Sequence, residues 1–417
     1  MLRWFNVARW TLVLLSIPLG IGCVQASVRS VDSAATATSS SSTGGMDESP
    51  LFDGDERPSS LEPFLDGASA LRMQILLAIP DNSGGLVRRS YRADAEYFYP
   101  ASAVKLAAAV AALEKLEALR ATNKCPSVGV ETPLRIAVDG GRVEELDATN
   151  IASGRITVGH EIRKALLVSN NEAFNRLFSF VGYDDLESGL RAHGFESTSL
   201  RHFVGWGVGD ARSSPKMQLF PAHCAAIDLP ARTATSTPPP TNVKGVLVGQ
   251  AHYDEKGRLK NEPMSFATKN RASLRDLQDL LISVVRPELI PQRTLQLSTA
   301  DREFLIGALG TLPSESKNPV FNRAAQPDAM HRPLWMAVRR LLPKHEINSY
   351  GKGGQAYGFI VQNAYLVDET TGRGVFVAAT IHVNSNGTLN DDQYEYSEIG
   401  KPFIDGLAEF VAKKYLM

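Results

Sequence analysis

The sequence lacks several features that would assign it to a class at once. Its 417 residues include only three cysteines and carry a formal net charge of -1. A nearly neutral chain has no basic surface field that could hold nucleic acid, so we expect no nucleic-acid partner. No Cys and His spacing fits a metal site and no Gly-rich phosphate loop follows a predicted strand, so neither a metal nor a cofactor is expected. Neither a Gly-x-Ser-x-Gly nor a His-Glu-x-x-His motif is present.

The N-terminal apolar run is too short to cross a bilayer as a stable helix. It covers residues 11–21 and follows two arginines, a pattern typical of secretory signals. We therefore predict that residues 1–26 are a signal peptide or a lipoprotein signal. Cleavage after Val24-Gln25-Ala26 and lipidation of Cys23 are the two processing alternatives, and an uncleaved anchor is the third. Each places the protein in the periplasm or outside the cell, with a membrane tether in the latter two cases.

Composition divides the rest of the chain into two parts. Residues 27–60 are rich in Ser, Thr and Gly and are predicted to be a disordered linker. Residues 61–417 have the apolar content of one large domain, which we expect to be monomeric. Within it, residues 205–265 contain three consecutive prolines and scattered glycines, so an irregular insertion of loops is expected there.

Two cysteines remain within the predicted domain, Cys125 and Cys224. In an oxidising compartment they could pair. Nothing in their spacing fixes their distance in space, however, and two buried unpaired thiols are the preferred expectation.

The predicted elements place strands at both ends of the domain and helices in the middle. Strands are expected at 73–80, 86–92, 358–366 and 375–383, and a final amphipathic helix at 398–415. Helices are expected from 102, 158, 171, 273, 301 and 334 onward. This order predicts an α+β fold in three layers. The N- and C-terminal strands form one antiparallel sheet flanked by helices, and the middle helices form a second lobe with a cleft between the two.

The first candidate site residues are Ser102 and Lys105. Three residues apart on a helix, they face the same side. A serine hydroxyl needs a base to become a nucleophile, and a lysine whose pKa is lowered by burial can be that base. Ser-x-x-Lys also occurs at Ser213 and Ser314, and an ordinary helix cap is the alternative for Ser102.

The second candidate is the polar triplet 169–171, which follows three apolar residues between two predicted helices. There Ser169 could relay a proton, and the Asn171 carboxamide could hold a substrate amide through one donor and one acceptor. A pair of helix-capping residues is the alternative.

The third candidate lies in the Gly-rich stretch 350–355 before a predicted strand. Lys352 would place a cation beside a substrate carboxylate, and Gly354 would allow close approach of substrate to the strand. The backbone amides of Gln355 and Ser102 could form an oxyanion hole. A glycine-rich turn with an exposed lysine is the alternative.

These three motifs, in this order, resemble the serine β-lactamase and penicillin-binding protein superfamily, and the surrounding pattern is most similar to its class A β-lactamase branch. The resemblance covers roughly residues 65–415. It implies that Ser102 is acylated, Lys105 accepts its proton and Ser169 relays protons. It also implies that Asn171 binds the substrate amide and that Lys352 holds the carboxylate end of a small-molecule or peptidoglycan-type substrate.

Three departures from the class A pattern affect the expected chemistry. Asn170 replaces an Asp, and Gly353 replaces the Thr or Ser that would bind the substrate carboxylate. No Glu-x-x-Leu-Asn sequence supplies the loop glutamate that activates the deacylating water, and Glu196 and Asp210 are the nearest acidic candidates. The resemblance therefore implies a serine hydrolase that acts on a β-lactam or a related cell-wall peptide amide. A non-catalytic module on the same fold, binding cell wall or a protein, is the alternative.

Overall fold

The computed structural model describes residues 48–54, 56–81, 83–205 and 209–417. Its helices, in chain order, are α1 Glu62–Leu65, α2 Lys105–Thr122, α3 Val158–Leu167, α4 Asn171–Val181, α5 Tyr183–Ala192, α6 Leu274–Val285, α7 Thr299–Gly310, α8 Asp328–His331, α9 Pro333–Leu341 and α10 Lys401–Val411. Its strands are β1 Glu48–Pro50, β2 Gln74–Pro80, β3 Leu86–Tyr91, β4 Leu134–Ala137, β5 Val143–Glu144, β6 Ser213–Ser214, β7 Met217–Leu219, β8 Ile227–Leu229, β9 Arg232–Thr233, β10 Leu247–Val248, β11 Ala251–Tyr253, β12 Leu259–Lys260, β13 Met264–Ser265, β14 Ile347–Gly351, β15 Gly354–Ala356, β16 Phe359–Asp368, β17 Arg373–His382 and β18 Thr388–Leu389. A 3-10 turn, Ala101–Val104, precedes α2, and π turns flank α10.

The largest sheet joins strands from the two ends of the chain, as predicted. Its order is β1-β3-β2-β17-β16-β14, and β15 also pairs with β16. All neighbours are antiparallel except β1 and β3. Side chains of β17 alternate between the two faces of the sheet: Val375 and Val377 pack into one core, and Phe376 and Ala378 pack into two other cores on the opposite face. Because both faces are buried, β17 reads in the sequence as an almost continuous apolar run.

Helices cover both faces of this sheet and confirm the three-layer expectation. α9 and α10 share one core with β2 and β17. α6 crosses the other face, in contact with β2, β16 and β17. Its first turn is capped by Ser273, whose hydroxyl accepts a hydrogen bond from the Asp276 amide, as the sequence predicted. α2, α3, α4, α5 and α7 form the helical lobe, and their apolar core continues to α6 and to Phe376 of the sheet. Among the described residues, no helix is both long and apolar enough to cross a membrane.

The folded domain begins earlier than residue 61, so the predicted end of the disordered linker was wrong. β1 pairs in parallel with the edge strand β3, and Leu51 is almost fully buried. Phe52 packs against Phe410 of α10. Composition missed this segment because a few apolar residues suffice to dock a short strand on an existing edge. The predicted signal, residues 1–26, and the linker before Glu48 lie outside the described residues.

The insertion contains short strands as well as loops. β10 pairs with β13, and β11 pairs with β12 and with β18 near the C-terminus. β7 and β8 join β4 in a small sheet of the helical lobe. Strands of two or three residues carry no readable alternation, which is why the sequence predicted only loops there.

Cys125 and Cys224 form a disulfide, so the preferred expectation of two free thiols was wrong. The bond joins the loop after α2 to the loop after β7, across 99 residues of sequence. Sequence spacing could not show this, because the two cysteines meet only when β7 pairs with β4.

We predict that this disulfide stabilises the domain by about 4 kcal/mol, because it limits the unfolded chain by closing a long loop. Urea unfolding with and without reductant should show this difference. A Cys125→Ser, Cys224→Ser double variant is the control, and reductant should not change its midpoint. Equal free energies of unfolding for the oxidised and reduced protein would contradict the prediction.

Candidate active site

A cleft of about 1250 Å³ contains most of the predicted site residues. Ser102, Ser169, Asn171 and Gln355 line it, at the junction of the sheet and the helical lobe. Most of the other described lining residues come from the segment after α5, from the insertion and from the chain between β18 and α10, and the rest come from the segment before α2, from residue 269 and from the end of β15. They are Tyr99, Ala101, His202, Phe203, Val204, Gly205, Gly209, His252, Tyr253, Asp254, Glu255, Met264, Lys269, Ala356, Tyr357, Asn390, Asp392, Tyr394 and Tyr396. Ser213 and Ser314, which begin two other Ser-x-x-Lys matches, are not among the residues that line the cleft.

Ser102 lies in the 3-10 turn that leads into α2. In such a turn residues three apart lie directly above one another, so Lys105 is on the same side as Ser102. The preceding residue, Ala101, has φ of 48°, in the left-handed region that non-glycine residues rarely adopt. The surrounding fold holds Ala101 in this unfavourable conformation, and the turn that follows presents Ser102 to the cleft.

Lys105 is completely buried and makes its contacts with the second motif. Its Nζ lies 2.5 Å from the Ser169 carbonyl oxygen, 2.7 Å from Asn171 Oδ1 and 3.2 Å from Ser169 Oγ. No carboxylate forms an ion pair with it among the described residues. Burial lowers the pKa of Lys105 from 10.5 to about 7. A large share of Lys105 is therefore neutral at neutral pH.

The hydrogen bonds of Lys105 suit a neutral amine. A neutral amine has two N–H groups, which the Ser169 carbonyl and Asn171 Oδ1 can accept. Its lone pair is left to receive a proton, from Ser102 or through the Ser169 hydroxyl. Ser102 Oγ has no hydrogen-bond partner among the described residues, a common state before substrate binds.

The loop between α3 and α4 fixes the second motif. Ser169 has φ of 58°, which turns its carbonyl toward Lys105. Asn170 caps α4, because its side chain accepts a hydrogen bond from the Ala173 amide at 2.8 Å. Asn and Asp cap helices about equally well, so the exchange of Asp for Asn at this position is accommodated.

Lys352 lies deeper than the sequence suggested. It is 5% exposed, does not line the cleft, and its Nζ donates to the Gly353 carbonyl at 2.6 Å. Burial lowers the pKa of Lys352 well below its usual range, and the charges of Lys105 and Arg332 lower it further. The predicted contact of Lys352 with a substrate carboxylate and its predicted influence on Lys105 remain predictions.

The two glycines after Lys352 are required by close packing. A Cβ atom on Gly354 would lie 2.3 Å from the backbone nitrogen of Ser102, and one on Gly353 would lie 2.5 Å from the Val361 carbonyl oxygen. Both distances are far below van der Waals contact. Gly354 thus lets β15 lie directly against the turn at Ser102, and a Thr or Ser in place of Gly353 would not fit the present backbone.

The same packing orients the amide of Gln355. β15 and β16 are joined by the two-residue turn Tyr357-Gly358, which closes on the pair Ala356 and Phe359. In a two-residue hairpin this closing pair exchanges hydrogen bonds, so the amide of Gln355 points away from β16 and toward the edge that faces Ser102. Amides of Gln355 and Ser102 are therefore available as a pair of donors for an oxyanion.

The two acidic residues considered for activating the deacylating water, Glu196 and Asp210, do not line the cleft. Asn175 holds the backbone of Val204 in place. Its side chain donates to the Val204 carbonyl at 3.1 Å and accepts from the Val204 amide at 2.9 Å. This clamped position lines the cleft but carries an apolar side chain. No periodic signal in the sequence marks Val204 or the insertion residues of the cleft.

An α+β fold that brings the three motifs to one cleft is the arrangement of the serine β-lactamase and penicillin-binding protein superfamily, which confirms the resemblance seen in the sequence. A model described as the beta-lactamase enzyme family matches residues 87–297, half of the chain. The protein belongs to this family.

Several β-lactamases of known structure are similar to this chain. A β-lactamase from Desulfarculus baarsii is 14% identical, with 86% of this chain and 99% of that chain covered and a TM-score of 0.47. A β-lactamase from Xanthomonas campestris is 14% identical, with 85% and 100% covered and a TM-score of 0.47. The chromosome-encoded β-lactamase of Vibrio parahaemolyticus is 12% identical, with 85% and 98% covered and a TM-score of 0.46. No curated sequence matches the chain.

We predict that acylation of Ser102 speeds up as pH rises through about 7, because only neutral Lys105 can accept the serine proton. The rate of adduct formation with a fluorescent penicillin, followed by intact mass between about pH 5 and pH 9, measures this. Lys105→Arg is the control, since arginine stays charged throughout. It should react about 10²-fold more slowly and show no inflection near neutral pH. A flat profile for the unmodified protein would exclude Lys105 as the base.

Proposed function

We propose that the protein is a serine hydrolase that acts through an acyl-enzyme on Ser102. Its substrate would be a β-lactam or a related cell-wall peptide amide. The observation that carries this proposal is the buried Lys105, without an ion-pair partner among the described residues, one turn from Ser102 and bonded to Ser169 and Asn171. Burying a lysine without a carboxylate costs stability, so a fold that retains it needs a neutral amine at that point. An extracytoplasmic location and a membrane tether remain part of the proposal.

The proposed acylation step uses the groups that surround Ser102. Neutral Lys105 takes the hydroxyl proton of Ser102 as Oγ attacks the substrate carbonyl carbon. The carbonyl π electrons move to oxygen, and the amides of Ser102 and Gln355 stabilise that oxyanion. When the oxyanion re-forms the carbonyl, the C–N bond breaks, and the leaving nitrogen receives a proton from Ser169, which is replenished from protonated Lys105. Asn171 can bind the amide of the acyl chain.

Hydrolysis of the acyl-enzyme is the step for which the cleft is less well equipped. Water attack on the ester needs a base, and the clamped position beside the cleft is Val204. Lys105 and Ser169 are the remaining groups near the ester. We therefore propose rapid acylation followed by slow deacylation, as in a penicillin-binding protein rather than an efficient β-lactamase.

A non-catalytic binding module on the same fold is the second candidate. It is favoured by the withdrawal of Lys352 from the cleft and by the glycine at position 353, which together leave the carboxylate end of a substrate with less support. A module of this kind would have no use for a buried amine beside a serine, and this favours the first proposal.

We expect the full chain to gain one penicilloyl mass when incubated with a fluorescent penicillin, and Ser102→Ala to gain none. The lifetime of the adduct, followed by intact mass after removal of free drug, then separates slow from rapid deacylation. No adduct and no turnover by either protein would favour the binding module.

We predict that Val204→Glu shortens the lifetime of the adduct by roughly tenfold, because it places a carboxylate base at a clamped position that now carries an apolar side chain. A well-placed general base contributes about 10²–10⁴-fold, and a newly introduced one should deliver less. Val204→Gln has the same shape without the basicity and is the matched control. Equal lifetimes in the Glu and Gln variants would show that a carboxylate at this position cannot reach the ester.

A further inference from the structure

The cleft is larger than the reacting group of a lactam or an amide needs. Pockets for drug-sized ligands enclose roughly 300–1,000 Å³, whereas this cleft encloses about 1250 Å³. Much of its lining comes from the insertion, residues 252–255, and from residues 390–396 before α10. We call these two segments together the outer wall. A substrate that fills the cleft must therefore extend well beyond its scissile bond.

The outer wall is a fixed part of the fold. β11 of the insertion pairs in parallel with β18. The Gln250 amide donates to the Gly387 carbonyl at 2.7 Å, and Asn390 Nδ2 donates to the Tyr253 carbonyl at 2.8 Å. Side chains of the wall are thus presented to the cleft from a braced backbone.

The described lining residues include three carboxylates, at Asp254, Glu255 and Asp392, but only one lysine, Lys269, and no arginine. Asp254 is neutralised by Arg258, at 2.8 Å. Glu255 and Asp392 are exposed, and neither has an ion pair or a hydrogen bond with another described residue. Burial lowers the pKa of Lys269 and the negative charge of Glu255 raises it, but the two side chains form no ion pair. The cleft therefore presents two carboxylates without a direct partner.

The tyrosines of the cleft meet at the turn 357–358, where the Gly358 amide donates to the Tyr396 hydroxyl at 3.0 Å and a Cβ atom on Gly358 would lie 3.1 Å from the Tyr394 ring. Burial raises the pKa of Tyr357, and the negative charge of Glu255 raises it further. Burial raises the pKa of Tyr394 to about 12, with a contribution from Asp392. The rings of Tyr394 and Tyr396 are 5.4 Å apart. Aromatic faces combined with carboxylates are the surroundings in which proteins bind ammonium groups.

Tyr357 occupies a position that local backbone preference would give to another residue. It and Gly358 have φ of 54° and 79°, the values of a type I′ turn, for which Asn-Gly is the usual sequence. The turn closes the strand that carries Gln355. Tyr357 lines the cleft two residues after Gln355 of the predicted oxyanion hole. Its ring contacts the rings of Tyr99 and Phe266.

We propose that Tyr357, Tyr394, Glu255 and Asp392 form a subsite for an ammonium group. The favoured substrates would then be acyl donors whose acyl chain carries a primary amine. This inference rests on the proposed function for the acyl step, but binding of the amine does not require acylation.

Three matched probes test the subsite: penicillins acylated at the 6-amino group with 6-aminohexanoyl, 6-hydroxyhexanoyl or hexanoyl chains. Kd for each is measured by calorimetry on full-length Ser102→Ala, which cannot be acylated, and acylation rates are measured on the unmodified chain. We expect the amine probe to bind on the order of tenfold more tightly than the other two. High salt should reduce this preference, because exposed charges are screened.

Variants locate the preference. In the Ser102→Ala background, Glu255→Gln with Asp392→Asn should reduce the ratio of Kd values to near one. Tyr357→Asn, which restores the usual Asn-Gly turn, should reduce it in part. Glu303→Gln removes an exposed carboxylate on α7, away from the cleft, and should leave the ratio unchanged.

Three outcomes would overturn the subsite: equal binding of all three probes, equal binding of the amine and hydroxyl probes, or a preference that survives in the double variant. Absence of measurable binding by every probe would overturn it as well. The proposed function fails separately. If the amine probe binds best but never acylates Ser102, the subsite stands and the acyl-enzyme does not. If Ser102 is acylated without any preference for the amine probe, the acyl-enzyme stands and the subsite does not.

Discussion

Close approach of β15 to the 3-10 turn at Ser102 is the constraint on which the site depends. The turn joins the helical lobe to the sheet, and β15 belongs to the sheet, so the two parts of the domain meet where Gly354 touches Ser102. Any side chain at position 354 would separate them. This contact sets the position of the Gln355 amide relative to that of Ser102, and it closes the inner end of the cleft. Chemistry at Ser102 therefore depends on packing between two lobes rather than on one motif.

Burial of charge is the second constraint. Lys105 and Lys352 are withdrawn from solvent, Arg332 lies close to Lys352, and no described carboxylate pairs with either lysine. Burial lowers the pKa of both lysines, and in Lys352 like charge lowers it further. Burial of these charged groups lowers the free energy of unfolding, and the large apolar cores on both sides of the sheet offset this loss. A neutral amine held by Ser169 and Asn171 is the result.

The insertion changes the character of the cleft without changing its inner end. By pairing β11 with β18 it adds a wall of tyrosines and carboxylates to a site whose inner residues are apolar, amide or hydroxyl groups. The inner end is built from the family motifs, whereas the outer wall is built from residues that follow no motif. The proposed reaction and the proposed substrate preference thus depend on different parts of this chain.

The sequence by itself determined the fold class, most helices and long strands, and the order of the three motifs. Periodicity and capping are local properties, so the limits of α3 and the Ser273 cap of α6 could be read directly. Only the tertiary structure decided that Cys125 meets Cys224, that β1 docks on β3 and that Lys352 is covered. It also decided that the Asn175 side chain forms hydrogen bonds with the backbone of Val204. Each of these depends on contacts between residues far apart in the chain, where spacing carries no information about distance in space.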